Sequence, residues 1–340
     1  MKYLAEPPLP GGSCANEKVI KMVMVKSIVL LLVGFVLLIK GADFFVDGAS
    51  ALAKKMKIPS LIVGLTIVAM GTSAPELAVS ISSAAKGANG LAVSNVIGSN
   101  MFNLLMVLGV CAMIMPIAVN KTVMVRDYPI SAAAIALFVV FIIDGKLTRI
   151  EAAVLLAAMV GYMTFTVISA LKNPVEEEEE LKFNALKCAV CIIGGAAAIV
   201  FGGDMVVDNA QTIAMKAGMS ETLVGLTICA MGTSLPELVT SVIASRKGEN
   251  DMAVGNVIGS NIFNVLMILG VSGVISPIDL AKAGDGSDVN ALTDGIILIG
   301  MCILAFLLCL QGRKLNRWNG IILVTCYAAY MAFIIVRNYA

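Results

Sequence analysis

The chain has 340 residues, of which 59% are hydrophobic and 14% are charged, with a formal net charge of +1. Soluble domains contain about 25% charged residues, so this composition excludes an ordinary soluble protein and predicts a polytopic membrane protein. The near-neutral charge gives no indication of a nucleic acid partner. The chain has no histidine, which leaves carboxylates as the groups that could titrate near neutral pH inside a membrane.

Residues 1–26 contain prolines, glycines and lysines ahead of the first long apolar run. That run is too long for the apolar region of a cleaved signal peptide, so we expect residues 1–26 to form an N-terminal tail. The eight cysteines lie mostly in apolar runs and predict no disulfide framework. Cys188 and Cys191 form a CxxC pair, but without a second pair or a histidine this pair predicts neither a zinc site nor a redox site.

Apolar stretches of about 20 residues recur along the chain, and each can cross a hydrocarbon core of about 30 Å. They predict five spans in each half of the chain. The halves are residues 27–171 and 187–340, joined by an acidic cytoplasmic linker, 172–186, that contains five consecutive glutamates. The predicted spans are 27–53, 59–84, 91–118, 128–144, 150–171, 187–212, 220–245, 252–279, 291–310 and 318–336.

The two halves are internal repeats. Residues 64–83, GLTIVAMGTSAPELAVSISS, match residues 225–244, GLTICAMGTSLPELVTSVIA, at 13 of 20 positions, and residues 92–110 match residues 253–271 at 15 of 19. In both blocks the matched residue lies 161 positions further along the chain. The matches include Gly, Thr, Ser, Pro, Glu and Asn in fixed register, which unrelated apolar helices would not share. One ancestral unit was duplicated.

An odd number of spans per repeat inverts the second copy relative to the first. The sequence therefore predicts an all-α polytopic membrane protein with ten transmembrane helices, arranged as two inverted five-helix repeats. This is the construction of secondary transporters whose substrate site lies at the repeat interface, near the bilayer midplane. With the N-terminus outside, 13 lysines and arginines fall in inner loops and six in outer loops. The excess of inner positive charge favours that orientation.

Glu76 and Glu237 are the two acidic residues that need an explanation, because a carboxylate at the centre of a spanning helix costs about 2.5 to 3.5 kcal/mol on insertion scales. Each glutamate follows a proline. Pro75 and Pro236 have no N–H to donate to the carbonyl four residues earlier, so the helix must open there and expose main-chain oxygens. Two symmetric buried glutamates predict an ion site.

Polar groups surround each glutamate at helical spacing. Thr72 and Ser73 precede Glu76 by four and three residues, which places all three on one helix face. Carboxylate, hydroxyl, amide and carbonyl oxygens suit a hard cation such as Ca²⁺ or Na⁺. The predicted side-chain ligands in both repeats are Glu76, Ser73, Thr72, Ser99 and Asn103, and Glu237, Ser234, Thr233, Ser260 and Asn264.

Other polar residues have simpler interpretations. Small and polar residues also let membrane helices pack closely. This alternative suits the glycines that recur at the same spacing in both repeats. We expect Asn95, Asn100, Asn256 and Asn261 to form hydrogen bonds between helices. We expect four aspartates to cap helices or form ion pairs near helix ends rather than bind ions: Asp43, Asp47, Asp204 and Asp208.

The motifs GTSAPE and GTSLPE, each followed by GSNxFN, resemble the two signatures of the sodium/calcium exchanger branch of the cation/calcium exchanger superfamily. The resemblance covers the chain after the tail. It implies ten transmembrane helices, alternating access by sliding of the first and sixth helices, and a ligand set that includes the residues above. It adds main-chain oxygens of Ala69, Ala230, Thr72 and Thr233. Some relatives carry Asp where this chain has Asn264. The uncharged amide of Asn264 leaves two charges in the site, and this argues against potassium cotransport.

The predicted function is therefore sodium/calcium antiport that exports Ca²⁺ by alternating access, electrogenic and independent of potassium. The alternative is a calcium/proton antiporter that uses the same two glutamates. An intramembrane hydrolase built on Ser73 or Ser234 would lack a separate general base, and a channel should not hold its ion in a cage. We expect no enzyme activity, no cofactor besides the transported ions and no obligatory protein partner, in a prokaryotic inner membrane with the N-terminus outside.

Overall fold

The computed structural model describes residues 13–85, 89–172, 174, 184–219, 228, 230–280, 287–310 and 312–339. The acidic tract at 176–180 and residues 1–12 lie outside the described residues. The chain is mostly helical. Its helices are α1 (Ser13–Met56), α2 (Ser60–Val63), α3 (Ala69–Thr72), α4 (Ala74–Ala85), α5 (Asn89–Met101), α6 (Leu108–Ile114), α7 (Tyr128–Phe141), α8 (Arg149–Lys172), α9 (Ala185–Lys216), α10 (Ala230–Gly232), α11 (Leu235–Arg246), α12 (Asn250–Phe263), α13 (Leu269–Ile275), α14 (Ser287–Leu310) and α15 (Arg317–Tyr339).

Wide π-helical turns join several of these helices, at Gly64–Val68, Phe102–Val107, Val123–Asp127 and Asn264–Ile268. Two of them occupy nearly equivalent places in the two repeats and contain Asn103 and Asn264. Hydrogen bonds from the N–H five residues later, Leu108 to Asn103 O and Leu269 to Asn264 O, close these wide turns. Such turns are frequent at functional sites. From sequence, the residues of the turns at Asn103 and Asn264 were expected within the continuous spans 91–118 and 252–279.

Within the described residues, eight helices are long and apolar enough to cross a membrane, or nine if a bent pair counts as one span. The bent pair is Ser60–Thr72 with Ala74–Ala85, at an angle of 48°. The chain is therefore an integral membrane protein. The predicted span 220–245 is described at Ile228 and from Ala230 onward, and its remaining residues lie outside the described part of the chain. Helix α1 begins at Ser13, well before the first predicted span.

Two short antiparallel pairings qualify the all-α prediction. Residues Ile117–Ala118 (β1) pair with Lys314–Leu315 (β4), and Lys146–Leu147 (β2) pair with Ile278–Asp279 (β3). Each pairing joins one half of the chain to the other. Backbone N–H and C=O groups next to the ends of helices lack partners within the helix, and these strand pairings provide partners for some of them.

Helices α1 and α9, which are equivalent in the two repeats, pack along each other through small residues. A Cβ added at Gly202 would lie 2.6 Å from Leu38 N and 2.8 Å from Gly34 O, and one added at Gly195 would lie 2.8 Å from Gly41 O. Only glycine allows the two backbones to approach this closely. The pair shares a buried cluster with parts of the site helices, separate from the larger core of the remaining helices.

Candidate functional site

The helix break at Ser73 positions the first half of the site. Pro75 cannot donate to Gly71 O, and the backbone leaves α-helical geometry at Ser73, with φ −84° and ψ 10°. Ser234 has nearly the same dihedrals, φ −94° and ψ 7°. The helix resumes after each break, since Leu77 N donates to Ser73 O and Leu238 N to Ser234 O. Both repeats thus leave α-helical geometry at the serine that stands two positions before the proline of the Pro-Glu motif.

Each serine at a break reaches the glutamate of the other repeat. Ser73 Oγ donates to Glu237 Oε1 at 2.8 Å, and Ser234 Oγ donates to Glu76 Oε1 at 3.0 Å. Both glutamates and both serines are fully buried, with 0% exposure. The spacing within one helix predicted Ser73 beside Glu76, but its hydrogen bond goes to the facing repeat. The two halves therefore build one site together.

Asn256 and Asn95 also join the two repeats, because each of them contacts one residue of either repeat. Thr72 Oγ1 donates to Asn256 Oδ1 at 3.0 Å, and Asn256 Nδ2 donates to Ser241 Oγ at 2.9 Å. In the other half, Asn95 Nδ2 donates to Ser80 Oγ at 3.2 Å, and Thr233 Oγ1 lies 3.5 Å from Asn95 Oδ1. This confirms the prediction that these asparagines join helices. The asparagines thus link the two threonines to the glutamate helices.

Several predicted ligand atoms are buried without a hydrogen-bond partner among the described residues. They include the second oxygen of each glutamate, Oε2, together with Ser99 Oγ, Asn103 Oδ1 and Asn264 Oδ1. Buried polar atoms of a native protein almost always have a partner. A group of oxygen acceptors left open around two carboxylates is the donor set that a hard cation prefers. Ser260, the remaining predicted hydroxyl, is equally buried.

The structure describes fewer contacts for the predicted main-chain ligands than for the side-chain ligands. Ala69 O accepts hydrogen bonds from Ser73 N at 3.0 Å and from Thr72 Oγ1 at 3.4 Å. Thr72 ends α3 directly before the break. Ala230 begins α10 and Thr233 follows its end, but the contacts of Ala230 lie outside what the structure describes.

Asp127 and Asp294, two other acids with little exposure, have a different environment. Asp127 is fully buried, and Arg126 donates to both of its oxygens at 2.8 and 3.0 Å. Asp294 is held in the same way by Arg337, at 2.8 and 2.9 Å. The two glutamates form no ion pair with Lys or Arg in the described part of the chain, so their charge has only hydroxyl and amide neighbours there. This contrast separates the candidate site from structural ion pairs.

The aspartates of α1 also pair with a lysine, as predicted for Asp43 and Asp47. Lys247 Nζ lies 2.6 Å from Asp43 Oδ1 and 2.7 Å from Asp47 Oδ1. Lys247 follows α11, so this contact joins the Glu237 helix to α1. Partial burial lowers the pKa of Lys247, but the hydrogen bonds and charges of the two aspartates outweigh burial and raise that pKa above its ordinary value.

Comparison with known proteins identifies the family of the chain. The family model described as sodium/calcium exchanger protein matches residues 26–168 and 187–336, that is, both halves of the chain and neither the first residues nor the linker. The chain belongs to the sodium/calcium exchanger protein family. It is therefore a member of a family of membrane transporters that exchange Na⁺ and Ca²⁺ as substrates.

Individual relatives extend over nearly the whole chain. CaxA of Alkalimonas amylolytica is 40% identical over 317 residues, which cover 90% of this chain and 98% of the relative. The sodium/calcium exchanger MaX1 of Methanosarcina acetivorans is 32% identical over 351 residues, covering 91% and 98%. A solved structure of the sodium-calcium exchanger NCX_Mj, soaked with 10 mM Na⁺ and zero Ca²⁺, matches with a TM-score of 0.79 and 30% identity, covering 91% of this chain and 99% of that one.

Proposed function

We propose that this exchanger carries Ca²⁺ out of the cell in return for Na⁺, by alternating access to a single site between Glu76 and Glu237. The observation that supports this most directly is the crossed pair of hydrogen bonds, Ser73 to Glu237 and Ser234 to Glu76, beside open carboxylate and amide oxygens. A site shared by two repeats can open to either side when the repeats or their peripheral helices move against each other.

The proposed ligands are the oxygens that converge on this site. Two carboxylates balance the charge of one Ca²⁺, and hydroxyl and amide oxygens complete its coordination. The same oxygens suit Na⁺, so occupancy by one ion would exclude the other. The proposed set is Glu76, Glu237, Ser73, Ser234, Ser99, Ser260, Asn103 and Asn264, with main-chain oxygens of Ala69, Ala230, Thr72 and Thr233.

The proposed architecture has ten transmembrane helices in two inverted repeats, with the N-terminus outside a prokaryotic inner membrane. The strand pairings support it, because β1 lies at the end of the third predicted span and β4 precedes the tenth. Six spans lie between them, and an even number returns the chain to the same side. Four spans separate β2 from β3, which meets the same condition. The excess of lysines and arginines in the inner loops supports the orientation.

Transport would be electrogenic if each cycle binds more sodium charges than the two of one Ca²⁺. The sodium gradient and the membrane potential would then drive Ca²⁺ outward together. Asn264 contributes no charge to the site, which supports exchange without potassium.

The decisive experiment is uptake of radioactive calcium into sodium-loaded proteoliposomes that contain the purified protein. We expect sodium-dependent uptake that Glu76→Gln or Glu237→Gln abolishes. Glu151→Gln is the matched control, because Glu151 lies outside the site and caps a helix by accepting a hydrogen bond from Thr148 N. Unchanged uptake in either site variant would contradict the proposed site, and uptake insensitive to an imposed potential would contradict electrogenic exchange.

Proton coupling is the second candidate, and the environment of the glutamates gives it a specific basis. Two buried carboxylates with no ion pair to Lys or Arg in the described part of the chain can be neutralised by protons as well as by cations. An outward proton gradient without sodium tests this directly in the same vesicles. Uptake driven by that gradient alone would favour calcium/proton antiport over sodium exchange.

A further inference from the structure

Asn100 and Asn261 occupy equivalent positions in the two repeats, next to Ser99 and Ser260, and they bind each other's main chain. Asn100 Nδ2 donates to Asn261 O at 3.3 Å, and Asn261 Nδ2 donates to Asn100 O at 3.5 Å. Both side chains are buried, with exposures of 0% and 1%. This reciprocal pair fixes the two helices to each other, as the sequence analysis expected.

One of the two asparagines has an additional bond that its counterpart lacks in the described part of the chain. Asn264 Nδ2 donates to Asn100 Oδ1 at 3.0 Å. The equivalent atoms in the other half, Asn103 Nδ2 and Asn261 Oδ1, have no hydrogen-bond partner among the described residues. The two repeats therefore differ in this hydrogen bond, although the side chains at these positions are the same.

The bond to Asn100 decides which end of the Asn264 amide is available. A side-chain amide offers an NH₂ donor and an oxygen acceptor, and only the oxygen can bind a cation. Because Asn100 Oδ1 takes the NH₂ group, Asn264 Oδ1 remains open inside the site. Asn103 has no such constraint in the described residues, so its amide must be ordered when an ion binds. Ordering a ligand in advance lowers the cost of binding.

We propose that Asn100 is a positioning residue that orients the amide of Asn264, so that its oxygen faces the transported cation. This inference rests on the proposed function. Asn100 touches no ion itself, and its effect on Ca²⁺ passes through the hydrogen bond to Asn264. Asn261 is the equivalent residue for Asn103, in a half of the site where that bond is not made.

A double-mutant cycle tests the proposal by calorimetric Ca²⁺ titration of the purified protein. Asn100→Ala is expected to weaken Ca²⁺ binding about fivefold, as loss of one neutral hydrogen bond implies. In an Asn264→Asp background the same change should matter less than about twofold, because a carboxylate has an acceptor oxygen in either orientation. Asn100→Leu fills the same space and serves as the second variant if the alanine variant does not fold.

Asn261→Ala is the matched control, because it removes the equivalent bond between the same helices and leaves the Asn100 to Asn264 bond in place. We expect it to keep Ca²⁺ affinity within about twofold of the wild type. Equal losses from Asn100→Ala in both backgrounds, or equal losses from Asn100→Ala and Asn261→Ala, would overturn the positioning role alone. Failure of the wild type to bind Ca²⁺ would overturn the proposed function as well.

Discussion

The hydroxyl of Ser73 donates a 2.8 Å hydrogen bond to the carboxylate of Glu237, which lies in the other repeat. Ser234 and Glu76 form the mirror contact at 3.0 Å. Each serine lies at the helix break that the following Leu/Ala-Pro-Glu sequence creates. The position of the break therefore decides which glutamate each serine reaches, and it couples the two repeats at the site.

Ser73→Ala and Ser234→Ala should each weaken Ca²⁺ binding. A hydrogen bond to a charged group contributes about 1.5 to 3 kcal/mol, so apparent affinity should fall at least tenfold in sodium-dependent uptake assays. The two variants should behave alike because the contacts are equivalent. Ser82→Ala, an exposed serine on the same helix as Glu76, is the control and should leave uptake unchanged. Normal affinity in either site variant would show that its crossed contact does not matter for the ion.

Gly202→Ala should destabilise the packing of α1 against α9. The added Cβ would meet backbone atoms of Leu38 and Gly34 at 2.6 and 2.8 Å, and overpacking of this kind costs about 1 to 3 kcal/mol. The midpoint of thermal unfolding in detergent should fall. Gly194→Ala on the same helix meets no described atom within 4 Å and should leave stability unchanged or raise it by up to about 1 kcal/mol. Equal midpoints for the two variants would rule out close packing at Gly202.

Lys247→Met should remove a contact between α1 and the end of α11, with a small loss of stability of about 0.5 to 1 kcal/mol because the pair is partly exposed. The raised pKa of Lys247 means that the folded protein holds this proton more tightly than the unfolded chain. Its contribution is therefore complete below the ordinary lysine pKa of about 10.4 and is lost as pH rises through the raised value.

Thermal unfolding measured across alkaline pH tests this sign. The difference between wild type and Lys247→Met should stay constant through neutral pH and disappear at the highest pH. Lys55→Met, an exposed lysine on α1, should show no such difference. If the difference in unfolding midpoint between wild type and Lys247→Met grew with rising pH, the ion pair would not be its source.

Sodium-dependent Ca²⁺ uptake should be the same in potassium and in choline, because Asn264 leaves the site with two carboxylates. Asn264→Asp adds a third charge close to the bound cation, which should tighten Ca²⁺ binding by more than about tenfold. Uptake assays with each counter-ion and calorimetry of the variant measure these effects. Stimulation of the wild type by potassium would contradict the proposed charge count.

Much of the fold follows from the sequence because its signals are local. Apolar length predicts the spans, and the 161-residue register between GTSAPE and GTSLPE identifies the repeats. The strand pairings and the π-helical turns were not predicted. A two-residue strand has no periodicity to detect, and a wide turn differs from an α-helical turn by one hydrogen-bond partner, which Leu108 and Leu269 do not reveal by type.

The sequence predicts candidate ligands, but it does not predict which of them contact each other. Glu76, Glu237 and the serines before them were identified because buried acids next to helix-breaking prolines need a reason. Spacing along one helix placed Ser73 with Glu76, whereas packing of the halves brings it to Glu237. The bond between Asn264 and Asn100 depends on contacts across 164 residues and on an asymmetry that two matching motifs cannot show.

The crossed serine and glutamate contacts have an evolutionary consequence. Neither repeat contains both members of a contact, so a single-repeat ancestor could not have assembled this site from one chain. Two copies would have been needed, and gene duplication with fusion would then have joined in one chain the two partners that each contact requires.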